Sequence, residues 1–238
     1  RLLTAFGSLP QANSAAPAVQ ATPRVGSRRV LLVDKPGATQ TYFWLGNVGA
    51  SRTDPARTAQ DVVNTVFGGR FTSMLNTELR VKSGLSYGAG SGFSRPAQPG
   101  SFRITSYTAT ESTVPAIDLA LATLDRLHKD GLDDPALDSA RTYVLGQFPP
   151  RIETNGALAA RLNDLALYGL GREDVDGFAA RVATVDGPTA RATIDAAFPT
   201  SADLVMVLIG DAARIRDDVR KFGPVTEMKL TDPRFAPR

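Results

Sequence analysis

Residues 68–93 read GGRFTSMLNTELRVKSGLSYGAGSGF, and the order of elements in this stretch decides how the chain folds. Within it GLSYG, at 84–88, matches the G-x-S-x-G pattern of serine hydrolases. A nucleophile elbow sets its serine on a strained turn between an incoming strand and an outgoing helix. Here the order is reversed. Thr72 or Ser73 can cap a helix, Leu75 and Leu79 stack four apart along it, and Gly84 suits a left-handed C-cap. A strand then leaves through LSYGAGSGF. Ser86 is therefore poorly placed as a nucleophile, and a serine esterase using Ser86 is the weakest of the functional readings. Its one candidate base, His128, falls in the last turn of another predicted helix, where a histidine suits the negative end of the helix dipole. The glycines of GAGSGF fail as a dinucleotide loop, because SRPAQPG follows and cannot open a helix.

Outward from this stretch the chain alternates periods. Upstream, Val30–Val33 and Tyr42–Leu45 flank Lys35-Pro36-Gly37 and predict a β-hairpin, with Trp44 as a large core residue. In DPARTAQDVVNTVFGG, Asp54 caps a helix with Pro55 in its first turn, Val62, Val63 and Val66 form its apolar face, and Gly68-Gly69 stop it. Downstream, GSFRITSYTA pairs with the preceding strand across a Pro/Gly turn. From Val114 to Phe198 the period is helical, with Ile117, Leu121, Leu124 and Leu127 on one stripe. DLVMVLIGD at 203–211 is a buried-type strand, followed by a short helix and a polar tail. The sum is α+β: a mostly antiparallel sheet packed against a layer of helices, in one domain. Residues 1–24, rich in Pro, Ala, Ser and Gln, read as a linker from an N-terminal half, and 25–238 as the domain.

Composition narrows the classes. The chain has 238 residues, 42% hydrophobic and 21% charged, with 27 Lys and Arg against 24 Asp and Glu. That suits a globular protein with a buried core, and no apolar run is long enough for a membrane helix. The arginines are scattered and interleaved with acids, without a basic cluster rich in aromatics, which argues against nucleic acid as a partner. With no cysteine and one histidine, the chain cannot assemble an ordinary zinc site of its own, so no metal and no bound cofactor are expected in it. It opens on Arg1, which reads as a fragment or a processed form.

Arg80 and Tyr87 remain, seven apart across the helix end. Tyr87 is expected to begin a strand on the face shared by Leu85 and Ala89. A guanidinium and a phenol converging there could donate hydrogen bonds to a carbonyl or carboxylate. Spacing alone leaves open the alternative of a surface arginine beside a half-buried tyrosine.

The same stretch resembles the insulinase, pitrilysin and mitochondrial-processing-peptidase family of zinc endopeptidases, through its Gly-Gly, Ser-x-Leu, Leu-Arg and Gly-Leu-x-Tyr elements. The similarity extends over roughly residues 29–222. VLLVDKPGATQTYFWLG resembles the opening hairpin, ALAARLNDLALYGLGREDVDGFAARVATV the helical block with its Tyr-Gly element, and LVMVLIGDA the closing strand. The resemblance implies a domain that pairs with a homologous half in a clamshell. The catalytic half bears an inverted H-x-x-E-H zinc motif, which this chain lacks, so it resembles the non-catalytic half. Arg80 and Tyr87 match the pair that in this family reaches across to bound peptide and stabilises the tetrahedral intermediate. The implied partners are a catalytic half carrying the zinc, on the same polypeptide or as a separate subunit, and a peptide substrate; a homodimer is compatible with the family. Some relatives keep the fold as structural or regulatory subunits without peptidase activity. Related bacterial proteins are often exported, which implies a periplasmic or exported location.

Overall fold

The computed structural model describes residues 1–10 and 20–232. A short helix α1 (Leu2–Phe6) lies within the segment read as linker, and residues 11–19 of that segment fall outside the described residues. Regular structure then begins with β1 (Arg29–Asp34) and β2 (Gln40–Val48), followed by α2 (Arg57–Asn64), which continues as a π-helical turn over Thr65–Gly69. Next come α3 (Met74–Asn76) with its π-helical extension Thr77–Lys82, then β3 (Ala89–Phe93) and β4 (Ser101–Ala109). The helical block holds α4 (Thr113–Asp130), α5 (Asp134–Gly146), α6 (Asn155–Tyr168), α7 (Glu173–Asp176), α8 (Phe178–Ala183) and α9 (Gly187–Ala197). The chain closes through β5 (Val205–Gly210), α10 (Ala212–Val219) and β6 (Val225–Lys229).

The six strands form one sheet in the order β3-β4-β2-β5-β1-β6. The pairs β3–β4, β4–β2 and β2–β5 are antiparallel, while β1 is parallel to both β5 and β6. The expected α+β class with a mostly antiparallel sheet is what the chain adopts. The expected β1–β2 hairpin is not: β5 lies between the two strands. The five residues 35–39 span two inter-strand spacings instead of one, and β5, apolar on both faces, gains a ladder on each edge. The tail read as polar also supplies an edge strand, β6, beside β1.

Local signals set the helix ends. Ser73 caps α3, its Oγ accepting from the Asn76 amide at 3.4 Å. Asp133, Thr154 and Asp186 cap α5, α6 and α9 in the same manner. Asp54 is not the N-cap expected of it but lies two residues before that position. Its carboxylate accepts from the Ala56 amide at 2.8 Å, and α2 begins only at Arg57, so Pro55 precedes the helix.

The helices cover one face of the sheet, against Val30, Leu32, Phe43, Leu45, Ile104 and Leu208. Phe198 on the end of α9 meets Phe67 at 5.9 Å and Phe102 at 5.0 Å between ring centroids, closing the core at the α2 end. Among the described residues no helix covers the other face, and this overturns the core reading of Trp44. Its side chain is 55% exposed, with the Arg103 guanidinium 5.3 Å from the ring centroid. Trp44 alternates with the buried Phe43 and Leu45, so strand period places it on the uncovered side. The β3 edge is protected. The Asn76 side chain accepts from the Ala89 amide at 3.2 Å, and Asn64 donates to the Ser91 carbonyl at 3.0 Å, which takes up groups another strand would need. Among the described residues no helix is long and apolar enough to cross a membrane.

Candidate functional site

Arg80 sits on the π-helical turn after α3, directly after the buried Leu79. Gly84 then turns the chain with φ +67°, a conformation glycine adopts without strain, and its amide bonds the Arg80 carbonyl at 3.2 Å. The next residues are pinned to β4. The Thr108 hydroxyl donates to the Leu85 carbonyl at 2.6 Å, and the buried Ser86 Oγ lies 2.7 Å from Ser106 Oγ while donating to the Gly88 carbonyl at 2.8 Å. With Leu85 and Ser86 held inward, Tyr87 is turned outward and is 72% exposed.

Two expectations change here. Tyr87 precedes the strand, which starts at Ala89, and it does not share a face with Leu85 and Ala89, both of which pack on the core. The G-x-S-x-G match is structural as well. Ser86 ties an irregular segment to β4, and His128, at the end of α4, has its Nε2 3.0 Å from the Pro199 carbonyl.

The structure brings Arg80 and Tyr87 together. The guanidinium carbon lies 4.6 Å from the Tyr87 ring centroid and 4.8 Å from that of Phe71, so Arg80 contacts both rings. Phe71 is 62% exposed and was missed in the sequence; its one signal was a large apolar residue between a helix stop, Gly69, and a cap, Ser73. Stacking restrains the arginine while leaving the in-plane N–H groups free. Among the described residues the Arg80 side chain has no hydrogen-bond or ion-pair partner. The neighbouring Glu78 is engaged by Lys82 at 2.9 Å and Arg126 at 3.0 Å.

Beside Tyr87 a groove of about 210 Å³ runs between Gln40, Leu85, Tyr107 and Ser112. Tyr107 stacks on Tyr42 at 5.2 Å, and Trp44 follows two residues along β2 on the same face. An aromatic track thus leads from the Arg80–Tyr87 pair across the open sheet. Such a surface can hold an extended chain by ring contacts and direct guanidinium and phenol donors at its carbonyls.

Zinc does not fit the residues present. The sole histidine is occupied by a backbone carbonyl, and no group of three or more His, Cys, Asp or Glu side chains is placed to hold a metal among the described residues.

A sequence profile for the peptidase M16 inactive domain matches residues 2–144. An uncharacterized zinc protease of Streptomyces coelicolor, SCO5738, is 32% identical over 176 residues, which is 71% of this chain and 38% of the relative. The solved peptidase M16 inactive domain from Pseudomonas fluorescens superposes with a TM-score of 0.78 at 24% identity, over 87% of this chain and 48% of that one. A chain of complex III2 from Candida albicans reaches 0.71 at 13% identity, over 93% and 54%. The chain belongs to the peptidase M16 family, the insulinase and pitrilysin group its motifs resemble, and corresponds to the inactive domain. It spans 38% of the length of the curated relative and about half of each of these two solved chains.

Proposed function

We propose that the chain is the substrate-binding half of a zinc-dependent endopeptidase, inactive alone, with residues 25–238 as the binding domain and 1–24 as a linker. The carrying observation is the Arg80 guanidinium contacting two exposed rings with no partner of its own, beside a groove that opens onto an aromatic sheet face. An exposed arginine and two exposed rings contribute little to the core, so core stability does not account for the placement. In this reading Arg80 and the Tyr87 hydroxyl donate to the carbonyls of a bound peptide and fix its register, while Tyr107, Tyr42 and Trp44 carry the flanking side chains. The zinc and the bond-breaking groups belong to a catalytic half with the inverted H-x-x-E-H motif.

The test is peptide cleavage by the chain combined with such a half. Arg80→Ala should lower kcat/KM by about tenfold to a hundredfold, the range for losing a charge-assisted hydrogen bond. Tyr87→Phe keeps the ring against Arg80 and should lose less. Unchanged cleavage in both variants would end the assignment. A second reading, a structural subunit without peptidase role, draws on the likeness to the complex III2 chain and predicts that same unchanged result.

A further inference from the structure

Six arginines from separate parts of the chain converge on one cavity of about 250 Å³, beside the start of α2 and against the helical block: Arg52, Arg57, Arg95, Arg151, Arg161 and Arg181. Three carboxylates serve them. Asp174, 4% exposed, contacts Arg57 and Arg161 and lies 3.7 Å from Arg52 and 3.8 Å from Arg181. Asp164 pairs with Arg52 and Arg161, and Asp61 with Arg95 at 2.8 Å. Six guanidiniums against three carboxylates leave three positive charges uncompensated in a partly enclosed space.

A network serving only to fasten helices would balance its charges and satisfy its donors. This one does neither. The Nε atoms of Arg161 and Arg181, and Oδ1 of Asp174, are buried without a hydrogen-bond partner, and Arg151 has no carboxylate within ion-pair distance among the described residues. Burial first, and then the neighbouring Arg52, hold the Arg57 and Arg161 guanidiniums below the ordinary arginine range. One wall is apolar, made by the Phe148–Phe178 stack at 4.4 Å and by Ile152.

We propose that this cavity binds a multiply charged oxyanion of the phosphate class, either inorganic phosphate or the phosphate of a small phosphoester. A phosphate dianion matches the excess charge better than a single carboxylate, and its several oxygens can meet more than one guanidinium fork. The cavity volume admits a phosphate with a modest organic group, which Phe148, Phe178 and Ile152 would contact. The site lies beyond the Phe93 end of β3, where Arg95 stands, whereas Tyr87 precedes the Ala89 end. It is thus separate from the proposed peptide site and can be tested without any peptidase assay.

The experiment is calorimetric titration of the chain with inorganic phosphate and with phenyl phosphate, paired with thermal unfolding in phosphate and in chloride at matched ionic strength. Phosphate should raise Tm progressively where chloride does not. Arg151→Ala removes an exposed arginine and should leave the fold intact while weakening phosphate binding about tenfold. Arg172→Ala, an exposed arginine outside the cavity, should change nothing. Tighter binding of phenyl phosphate assigns the ester, and equal binding assigns the free ion; both uphold the proposal. Absence of any heat or Tm shift beyond chloride, or identical affinity in Arg151→Ala, overturns it.

Discussion

Replacing Asp174 by asparagine leaves the side-chain volume unchanged and takes one negative charge from beneath four guanidiniums. The magnitude follows from the geometry. Arg52 at 3.7 Å and Arg181 at 3.8 Å would each interact with the carboxylate by about 4 kcal/mol at an effective dielectric of about 20, and Arg57 and Arg161 are closer still. Desolvation of the charges offsets much of that attraction while the network is whole. Once the carboxylate is gone, the arginines stay buried and repel one another, and breaking such a buried network costs about 3–5 kcal/mol. Urea unfolding followed by far-UV circular dichroism should then show the midpoint falling by about 1 M or more, for a slope near 3 kcal/mol per molar. Asp176→Asn is the matched control, because the Arg172–Asp176 pair is exposed and such pairs contribute about 0–1 kcal/mol. If Asp174→Asn moved the midpoint no further than Asp176→Asn, the reasoning that Asp174 holds α7 and α8 to α2 would be wrong.

Two further outcomes are expected. Gly68→Ala should destabilise by about 1–3 kcal/mol, since the new Cβ would stand 2.2 Å from Ser91 Oγ and 2.5 Å from the Ser91 amide nitrogen. Adding Ser91→Gly should not restore the urea midpoint, because the backbone clash persists; full recovery would refute the packing argument. Glu78 is held below its ordinary value of 4.5, first by the Lys82 hydrogen bond, against burial, and then by Arg126. The unfolded state binds its proton more tightly, so this stabilisation is complete above about pH 4.5 and is lost as pH falls through the lower folded value. The wild-type minus Glu78→Gln difference in unfolding free energy, about 0.5–1 kcal/mol near pH 7, should shrink in acid; a constant difference would contradict it.

Element ends and faces were legible because the forces that set them act within a turn of chain. Ser73 reaches the amide three residues on, Gly84 can take a positive φ without strain, and Leu75 and Leu79 share a face by helical period alone. The Arg80/Tyr87 pair was legible as a spacing and as a family resemblance. Its third member, Phe71, was not, because no local rule brings a loop residue nine positions back against the same guanidinium.

Trp44 and the first hairpin show the limit from another side. Alternation told which residues of β2 share a face, but whether that face is covered depends on which helices return to it. Pairing β1 with β2 was locally economical, and it yielded to β5, a strand that arrives some 170 residues later with two edges to satisfy.

The sequence by itself determined the α+β class, the cap at Ser73 and the family. Tertiary structure alone decided the sheet order, the open aromatic face and the convergence of arginines that looked scattered. Capping and periodicity are short-range and printed in neighbouring residues. Electrostatic potential sums over distance in space, so charge spread evenly along the chain can still be concentrated in a single cavity once the chain closes on itself.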